Sequence, residues 1–558
     1  MADDMERIKR EEKIWEEENK IGVSPKSPRV YTDLELEAKA VYTPADIQHV
    51  DYLRDIGFPG EYPFTRGTYP EMSRHRPWRY SVFTGFDTPA ETNKRWKFLY
   101  QAGQPAFNIV YDMPSHMGVD PDDPIAEGEI GRVGIPICNI TDIETLFKDL
   151  PMGKYPFYGN AESVAAIFVA MYIAAAKKRG ITEANLPGAI SNDPLSTAAS
   201  KSTLAFSVKH SFRLACDLIE YACRKMPNFY PVQVKGVNMS EGGCSMAQES
   251  GFSFCHACAY IEECLKRGLD IDTVASRITF FQSTTPHLFE EVAKYRASRR
   301  LWARLMKEQY GAKTNSALAW KFTAYACPLW FQFEEPELNL VRGTIQGLAQ
   351  ALGGCQATPH PGYDEAYAIP TEKSQSLALG TQQILAEETN ITKTVDPLGG
   401  SYYVEWLTEQ MEKKIIEVME GVKAKGGAIN ALESGYTKRE ILRYYLQVLK
   451  EIESGGRVIV RKNKYRVKEI NPWERLSLHS QNEEVVQIYI EGVKRLKRER
   501  DNSRVESCLM RLREAAKGTD NLMPYLIESI EAYATLGEIT KTLKEVFSEF
   551  KAPAIIPA

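Results

Sequence analysis

Between Arg66 and Phe86 the chain reads RGTYPEMSRHRPWRYSVFTGF. Arg66, Arg74, His75, Arg76 and Arg79 are interleaved there with Tyr69, Trp78, Tyr80 and Phe83, and the only acid is Glu71. A guanidinium offers a planar fork of donors that matches phosphate oxygens, while aromatic faces suit a flat base or a thin organic chain. The segment therefore reads as the receiver of a phosphate-tailed ligand. A solvated surface loop whose rings plug a core is the competing reading, and spacing alone does not separate the two.

A second set of polar residues falls at the ends of the strands expected below: Tyr111-Asp112, Asn160, Ser191-Asn192-Asp193, Asn238, Gln282, Tyr325 and Gln356, with His360 just beyond. Taken singly, each could cap a helix or satisfy a loop. Together they form a mostly uncharged ring, with no Ser-His-Asp triad, no paired carboxylates on one strand end and no HExxH. Such a ring suits chemistry carried by a cofactor, with the protein supplying shape and dryness. The CxxC at Cys255–Cys258 lies in a helical pattern and has no second CxxC at finger spacing, so no protein-held metal is expected.

Placing these residues requires alternating strands and helices from about residue 90. Strands are expected at Ala106–Asp112, Val133–Asn139, Tyr155–Asn160, Gly188–Asp193, Pro231–Asn238, Arg277–Gln282, Ala317–Ala326 and Gly354–Thr358. Amphipathic segments separate them, among them Ala161–Arg179, Ser207–Lys225, Gln248–Arg267, Leu288–Gln309 and Pro336–Leu352. Eight strands, each followed by a helix, close a parallel (β/α)8 TIM barrel with its chemistry at the C-terminal strand ends. An open doubly wound sheet is the alternative, but no Gly-rich dinucleotide turn follows the first strand. Residues 1–58 read as an N-terminal arm and linker, with a charged helix at Asp3–Asn19 and a Pro-containing stretch at Gly22–Arg29. Residues 59–390 read as the barrel, and 391–558 as a C-terminal linker and helical extension.

The 558 residues suffice for such a barrel with additions. A net charge of -5 argues against a general nucleic-acid binder and makes the basic cluster a local feature. No apolar run approaches the roughly 18 residues of a membrane helix, and the first twenty residues are charged rather than apolar. Neither a membrane span nor a signal peptide is expected. Ten cysteines, mostly inside apolar patterns, fit a reduced, cytoplasmic protein.

RG-x-Y-x-x-M followed by RPW and GF resembles the corresponding segment of the methylmalonyl-CoA mutase family, the acyl-CoA mutases that use adenosylcobalamin. GEIGRVG (128–134), SRITFF (276–281), EEVAKYRASRRLWARLM (290–306), GYDEAYAIPTE (362–372), DPLGGSYYVE (396–405), NKYR (463–466) and NLMPYLIESIEAYATLGEI (521–539) extend the resemblance in order, from about Pro59 onward. It implies a barrel threaded by coenzyme A and a radical 1,2-rearrangement of an acyl-CoA. Longer family members carry a cobalamin-binding domain with a DxHxxG motif whose His ligates cobalt, and no DxHxxG occurs here. The arrangement resembles the large subunit of the two-chain members, such as the isobutyryl-CoA and 2-hydroxyisobutyryl-CoA types. A small cobalamin-binding subunit is then the implied partner, on a dimer of large subunits.

Carried over residue by residue, the resemblance assigns Tyr69, Met72, Arg76, Ser81, Asn108, Ser191, Arg277 and Thr279 to coenzyme A and substrate. Tyr111 and Glu241 fall to the cofactor side, and Phe83, Lys201, Asn238 and Gln356 to the reacting centre. Departures cluster at the substrate-reading positions. Phe83 stands where methylmalonyl enzymes have Tyr, Lys201 where they have the Arg that pairs with a free carboxylate, and Ser191 where they have Gln. Val237-Asn238 replaces a Tyr-His pair. An ammonium does not reproduce a bidentate fork, and an amide is not a proton donor. The expected substrate is therefore an acyl-CoA other than methylmalonyl-CoA. A barrel that binds acyl-CoA without catalysis is the alternative.

Overall fold

A computed structural model describes residues 2–22, 29–201, 203–467 and 479–553. The interior of the linker expected at Gly22–Arg29 lies outside them. Eight short strands form the centre: β1 (Arg79–Ser81), β2 (Phe107–Val110), β3 (Phe157–Asn160), β4 (Gly188–Ile190), β5 (Phe229–Tyr230 and Val232–Lys235), β6 (Ile278–Thr284), β7 (Phe322–Ala326) and β8 (Ala357–Pro359). Pro231 splits β5 because it has no N–H to give to a ladder. Its first half pairs with β4 and its second with β6.

Parallel ladders join every neighbouring pair in the circle except β1 and β2. At that seam Val110 N–H donates to the Thr84 carbonyl at 2.8 Å, and Asn108 Nδ2 donates to Ser81 Oγ at 2.6 Å. Gly85 permits the approach: at φ +138° a Cβ there would lie 2.2 Å from the Val110 carbonyl oxygen. The strand order is that of a (β/α)8 barrel.

Two sequence expectations change. Val133–Asn139 forms no strand; it contributes one isolated bridge, Tyr111↔Ile135, and Pro136 interrupts it. The place in the circle goes to Arg79–Ser81, inside the basic segment itself. The expected Ala317–Ala326 strand begins only at Phe322, because Asn315–Leu318 takes a helical turn.

The helices follow their apolar stripes and caps. Ser245 and Gln248 form a capping box at the start of Met246–Lys266, and Ser207 caps Val208–Lys225. Leu288–Arg304 is exceptional, because it buries its charges. Lys294 Nζ lies 2.8 Å from Glu249 and 2.7 Å from Glu291. Arg296 pairs with Asp396 and Glu405, and Arg300 with Glu412. Asp396 and Glu405 come from the DPLGGSYYVE motif, so this buried network straps the helix Tyr402–Lys423 onto the barrel. Removing one partner from such a pair strands the other charge, at a cost of about 3–5 kcal/mol.

Strand alternation separates core from lumen. Val232 and Val234 pack outward with Trp302 and Trp320, while Gln233 and Lys235 point inward. The C-terminal helices Glu483–Glu499, Asn502–Lys517, Met523–Glu531 and Leu536–Lys544 share a continuous core with the helix Ala165–Lys178. The N-terminal helix Ala2–Asn19 touches the body through Glu12 and Lys39 and leaves Ile14 and Trp15 exposed. Among the described residues no helix is long and apolar enough to cross a membrane.

Candidate active site

Three spaces lie in line along the barrel. The first is a mouth of about 640 Å³ at the N-terminal strand ends, lined by Tyr69, Met72, His75, Arg76, Trp78, Arg79, Tyr230 and Gln356. The basic segment folds into this rim. Trp78 is anchored by its indole N–H to Gln382 Oε1 at 2.8 Å. The Arg299 guanidinium donates to the Phe64 and Thr65 carbonyls, fixing the chain that leads into the rim.

Arg79, lying over the Tyr158 ring at 5.2 Å, marks the passage from mouth to lumen. The lumen is narrow and lined by Ser81, Asn108, Gly159, Gln233, Thr323 and Ala357 among others. Ser81, Gly159, Thr323 and Ala357 are small, and the free space between them and Arg79, Tyr158 and Gln233 is about 20 Å³. Phe83 and Phe281 line both the lumen and the third space, a cavity of about 440 Å³ at the C-terminal strand ends. There Phe83 packs against Phe281 and Tyr325, with ring centroids 6.0 and 5.2 Å away.

This cavity is charged, unlike the mostly neutral ring expected from the sequence. Glu162, Lys201, Lys235, Asn238, Glu241, Glu365 and His116 all line it. Glu162 Oε1 accepts from Asn238 Nδ2 at 3.0 Å and lies 3.5 Å from Lys235 Nζ and 3.8 Å from Lys201 Nζ. Burial alone would raise the Glu162 carboxyl, but Lys201 and Lys235 override it and hold the group well below the usual carboxylate range. Burial lowers Lys201 less than Glu162 and Glu241 raise it, so its ammonium is stabilised. Burial dominates at Lys235, which is lowered, and at Glu241, which is raised. Burial, with Asp364 and Glu241 adding to it, pushes Glu365 up to about 8, and burial takes His116 down to about 4. At neutral pH His116 is thus an uncharged imidazole and Glu365 a carboxylic acid.

Of the residues singled out in the sequence, Phe83, Lys201, Asn238 and Glu241 meet in this cavity. Ser81 and Asn108 meet in the lumen, and Tyr69, Met72 and Arg76 at the mouth. Ser191 is buried behind the lumen, its hydroxyl donating to Asn160 Oδ1 at 2.7 Å. Thr279 Oγ1 donates to the Val232 carbonyl at 3.2 Å, and Arg277 to the Pro227 carbonyl, on the mouth side of β6. Two positions move. Gln356 precedes β8 instead of ending it; it accepts from Phe322 N–H, donates to Thr68, and lies at the mouth rather than beside Asn238. Tyr111 stacks on Phe168 in the core, with centroids 4.1 Å apart, and its buried hydroxyl has no hydrogen-bond partner among the described residues. It does not line the cavity.

Glu162, Lys235 and Glu365 had escaped the sequence reading. Lys235 had a signal: in Val232-Gln-Val-Lys235 the polar residues alternate with valines, which turns them to the lumen. Glu162 had none, since it opens a single 3-10 turn, Glu162–Val164, at φ +52° ahead of the helix Ala165–Lys178.

Cys255 and Cys258 lie along one helix, Met246–Lys266. Among the described residues no three or more His, Cys, Asp or Glu side chains come together in an arrangement that could hold a metal ion. On its outer side the cavity shares Val133, Tyr367, Ala368 and Ile369 with a groove of about 960 Å³ that runs to His479 and Lys494.

The family model described as methylmalonyl-CoA mutase matches residues 31–549. The chain is 36% identical over 551 residues to the 2-hydroxyisobutanoyl-CoA mutase large subunit of Aquincola tertiaricarbonis, covering 98% of this chain and 97% of that one. It is 32% identical over 543 residues to methylmalonyl-CoA mutase of Rhizobium meliloti (strain 1021), covering 97% and 76%. It is 32% identical over 532 residues to the mitochondrial methylmalonyl-CoA mutase of Homo sapiens, covering 95% and 70%. With a family match along nearly its whole length and strands in the order of a (β/α)8 barrel, this chain belongs to the methylmalonyl-CoA mutase family.

Proposed function

We propose that this chain is the large, substrate-binding subunit of an adenosylcobalamin-dependent acyl-CoA mutase, an isomerase that rearranges an acyl-CoA other than methylmalonyl-CoA. The observation that carries the reading is the line of three spaces: a basic aromatic mouth, a narrow lumen, and a cavity lined by charged and polar residues beyond it. Coenzyme A has that same order of parts, with phosphates and a base at one end, a thin pantetheine arm, and the acyl thioester at the other.

In this reading Arg76, Tyr69, Met72 and Arg277 hold the nucleotide end, with Thr279 beneath them, and Ser81 and Asn108 guide the arm. Phe83 and Phe281 close around the thioester and exclude water. Asn238 offers its second amide N–H to the thioester carbonyl, the first being given to Glu162. Lys201 faces the acyl substituent. Gln356 supports the mouth, and Ser191 sets the lumen wall through Asn160.

The outer groove and the cavity side of Glu241 and Glu365 fit a broad, flat cofactor. Two acids of raised pKa there are hydrogen-bond donors for ribose hydroxyls when protonated. Adenosylcobalamin supplies the carbon radical that starts the rearrangement. The protein's own part is to hold the thioester, keep water out and confine reactive species. Its cobalt ligand comes from a small cobalamin-binding subunit seated over the C-terminal face, on a dimer of large subunits in the cytoplasm. The barrel of 59–390 is the substrate domain, with the 391–558 extension and the arm of 1–58 as its supports.

The test mixes the purified chain with a cobalamin-binding small subunit, adenosylcobalamin and an acyl-CoA pool without oxygen. A substrate-dependent paramagnetic signal and a rearranged acyl-CoA are expected. Cofactor binding with no signal from any ester overturns the catalytic assignment and leaves an acyl-CoA-binding barrel.

A further inference from the structure

The polar cluster at the cavity floor has an unusual arrangement. Three nitrogens surround one carboxylate oxygen, Glu162 Oε1: Asn238 Nδ2 and Lys235 Nζ donate to it at 3.0 and 3.5 Å, and Lys201 Nζ forms an ion pair at 3.8 Å. That geometry is an anion site, and the anion in it belongs to the protein. The Glu162 side chain is 4% exposed, while that of Lys201 is 43% exposed toward the cavity. The backbone pins the acid in place, with Glu162 at φ +52° and its N–H donating to the Ser191 carbonyl at 2.7 Å. A β-region conformation would be easier for a non-glycine residue, so it is the surroundings that hold this one in place.

We propose that Glu162 is a specificity-determining residue, a built-in counter-anion. Its carboxylate takes the place that a free carboxylate on an acyl group would otherwise occupy between Lys201, Lys235 and Asn238. The cavity therefore receives acyl groups whose substituent is uncharged and rejects those bearing a second carboxylate. This rests on the reading of the chain as an acyl-CoA binder.

The charge balance agrees. Glu162 Oε1 lies 3.8 Å from Lys201 Nζ and 3.5 Å from Lys235 Nζ, so both ammonium groups already face a carboxylate. A substrate carboxylate placed there would set a second negative charge beside Glu162 and compete with it for the same two ammonium groups. An uncharged substituent meets no such penalty, and a hydroxyl among these would still find Lys201 as a donor.

The experiment measures equilibrium binding of the full chain to three probes: free coenzyme A, isobutyryl-CoA and methylmalonyl-CoA. The two esters differ by one methyl replaced with a carboxylate. The wild type is expected to bind isobutyryl-CoA at least about tenfold more tightly than methylmalonyl-CoA, a difference of about 1.4 kcal/mol. Glu162→Gln, which keeps shape and removes the charge, is expected to shift that ratio at least about tenfold toward methylmalonyl-CoA. Adding Lys201→Met to it should abolish the gain. Equal binding of the two esters by the wild type, or an unchanged ratio in a folded Glu162→Gln, overturns the proposal. Should that variant not fold, the wild-type ratio decides alone. If coenzyme A and both esters all fail to bind, the acyl-CoA reading itself falls. If they bind but the ratio is wrong, only the role of Glu162 falls.

Discussion

Arg299 holds Thr65. Its Nη2 and Nε donate to the Thr65 carbonyl at 2.9 and 3.3 Å, and its Nη1 reaches the Gly353 carbonyl. A guanidinium buried in the helix Leu288–Arg304 thus ties the chain ahead of the mouth to the loop before β8. Burial takes its pKa down to about 10, still charged at neutral pH. Arg299→Lys keeps the charge but loses the planar fork. Hydrogen bonds to charged groups contribute about 1.5–3 kcal/mol each, so the variant should lose about 3 kcal/mol in urea unfolding. Because the mouth is what Arg299 positions, coenzyme A affinity should fall as well. Unchanged affinity would dissociate the strap from the mouth.

Glu365 gives a pH dependence with a definite sign. Its carboxyl is raised in the folded chain to about 8 from an ordinary 4.5, chiefly by burial. Between those values the native state binds a proton that the unfolded state has released. The contribution is therefore fully present below about pH 4.5 and is lost as pH rises through 8. Glu365→Gln fixes the neutral form, so its urea midpoint should fall less than that of the wild type between pH 5 and 8. The gap is at most on the order of 4 kcal/mol. Glu249 and Glu290, each raised to about 7, titrate in both proteins and cancel in the comparison. Parallel pH curves would show that Glu365 is not buried as an acid.

Phe83 stands at the junction of lumen and cavity, against Phe281 and Tyr325. Phe83→Ala should enlarge the acyl pocket with little loss of stability, since the ring is only partly buried and borders open space. The expected result is a shift of preference toward longer or more branched acyl-CoAs, read as a ratio of kcat/KM values. A uniform loss across all acyl groups would assign Phe83 to thioester positioning instead.

How much of this was legible in the sequence follows from the periods involved. Helices such as Val208–Lys225 and Met246–Lys266 carry long apolar stripes and caps, and their observed bounds lie within two residues of those expected. Strands of three or four residues carry almost no pattern. Arg79–Ser81 was hidden inside a basic run, and Val133–Asn139 looked like a strand until its proline mattered. The mouth was legible because its residues are consecutive. The cavity was legible only in part: the family resemblance pointed to Phe83, Lys201, Asn238 and Glu241, but Glu162, Lys235 and Glu365 come from different loops and strand ends, and no spacing links them. Tyr111 shows the reverse error: a polar residue at a strand end whose ring turns into the core.

The lumen offers the sharpest separation of binding from chemistry. Ala357 lines it, one residue beyond Gln356 at the mouth, and pairs in register with Arg79 and Thr323. Ala357→Leu would fill a passage whose free space is only about 20 Å³. The mouth, with Tyr69, Arg76 and Trp78, would keep its shape, so the nucleotide end of coenzyme A should still bind there. The arm could no longer reach the cavity, and overpacking would cost about 1–3 kcal/mol of stability. The expected outcome is near-normal affinity for 3′-phospho-ADP, sharply weakened binding of acyl-CoA and no rearrangement. Those measurements use calorimetry for the two ligands and product analysis for turnover. Equal weakening of both ligands would mean that the substitution disturbed the mouth. Undiminished turnover would mean that the acyl group arrives by a route other than the lumen, and the threaded-barrel reading would have to be abandoned.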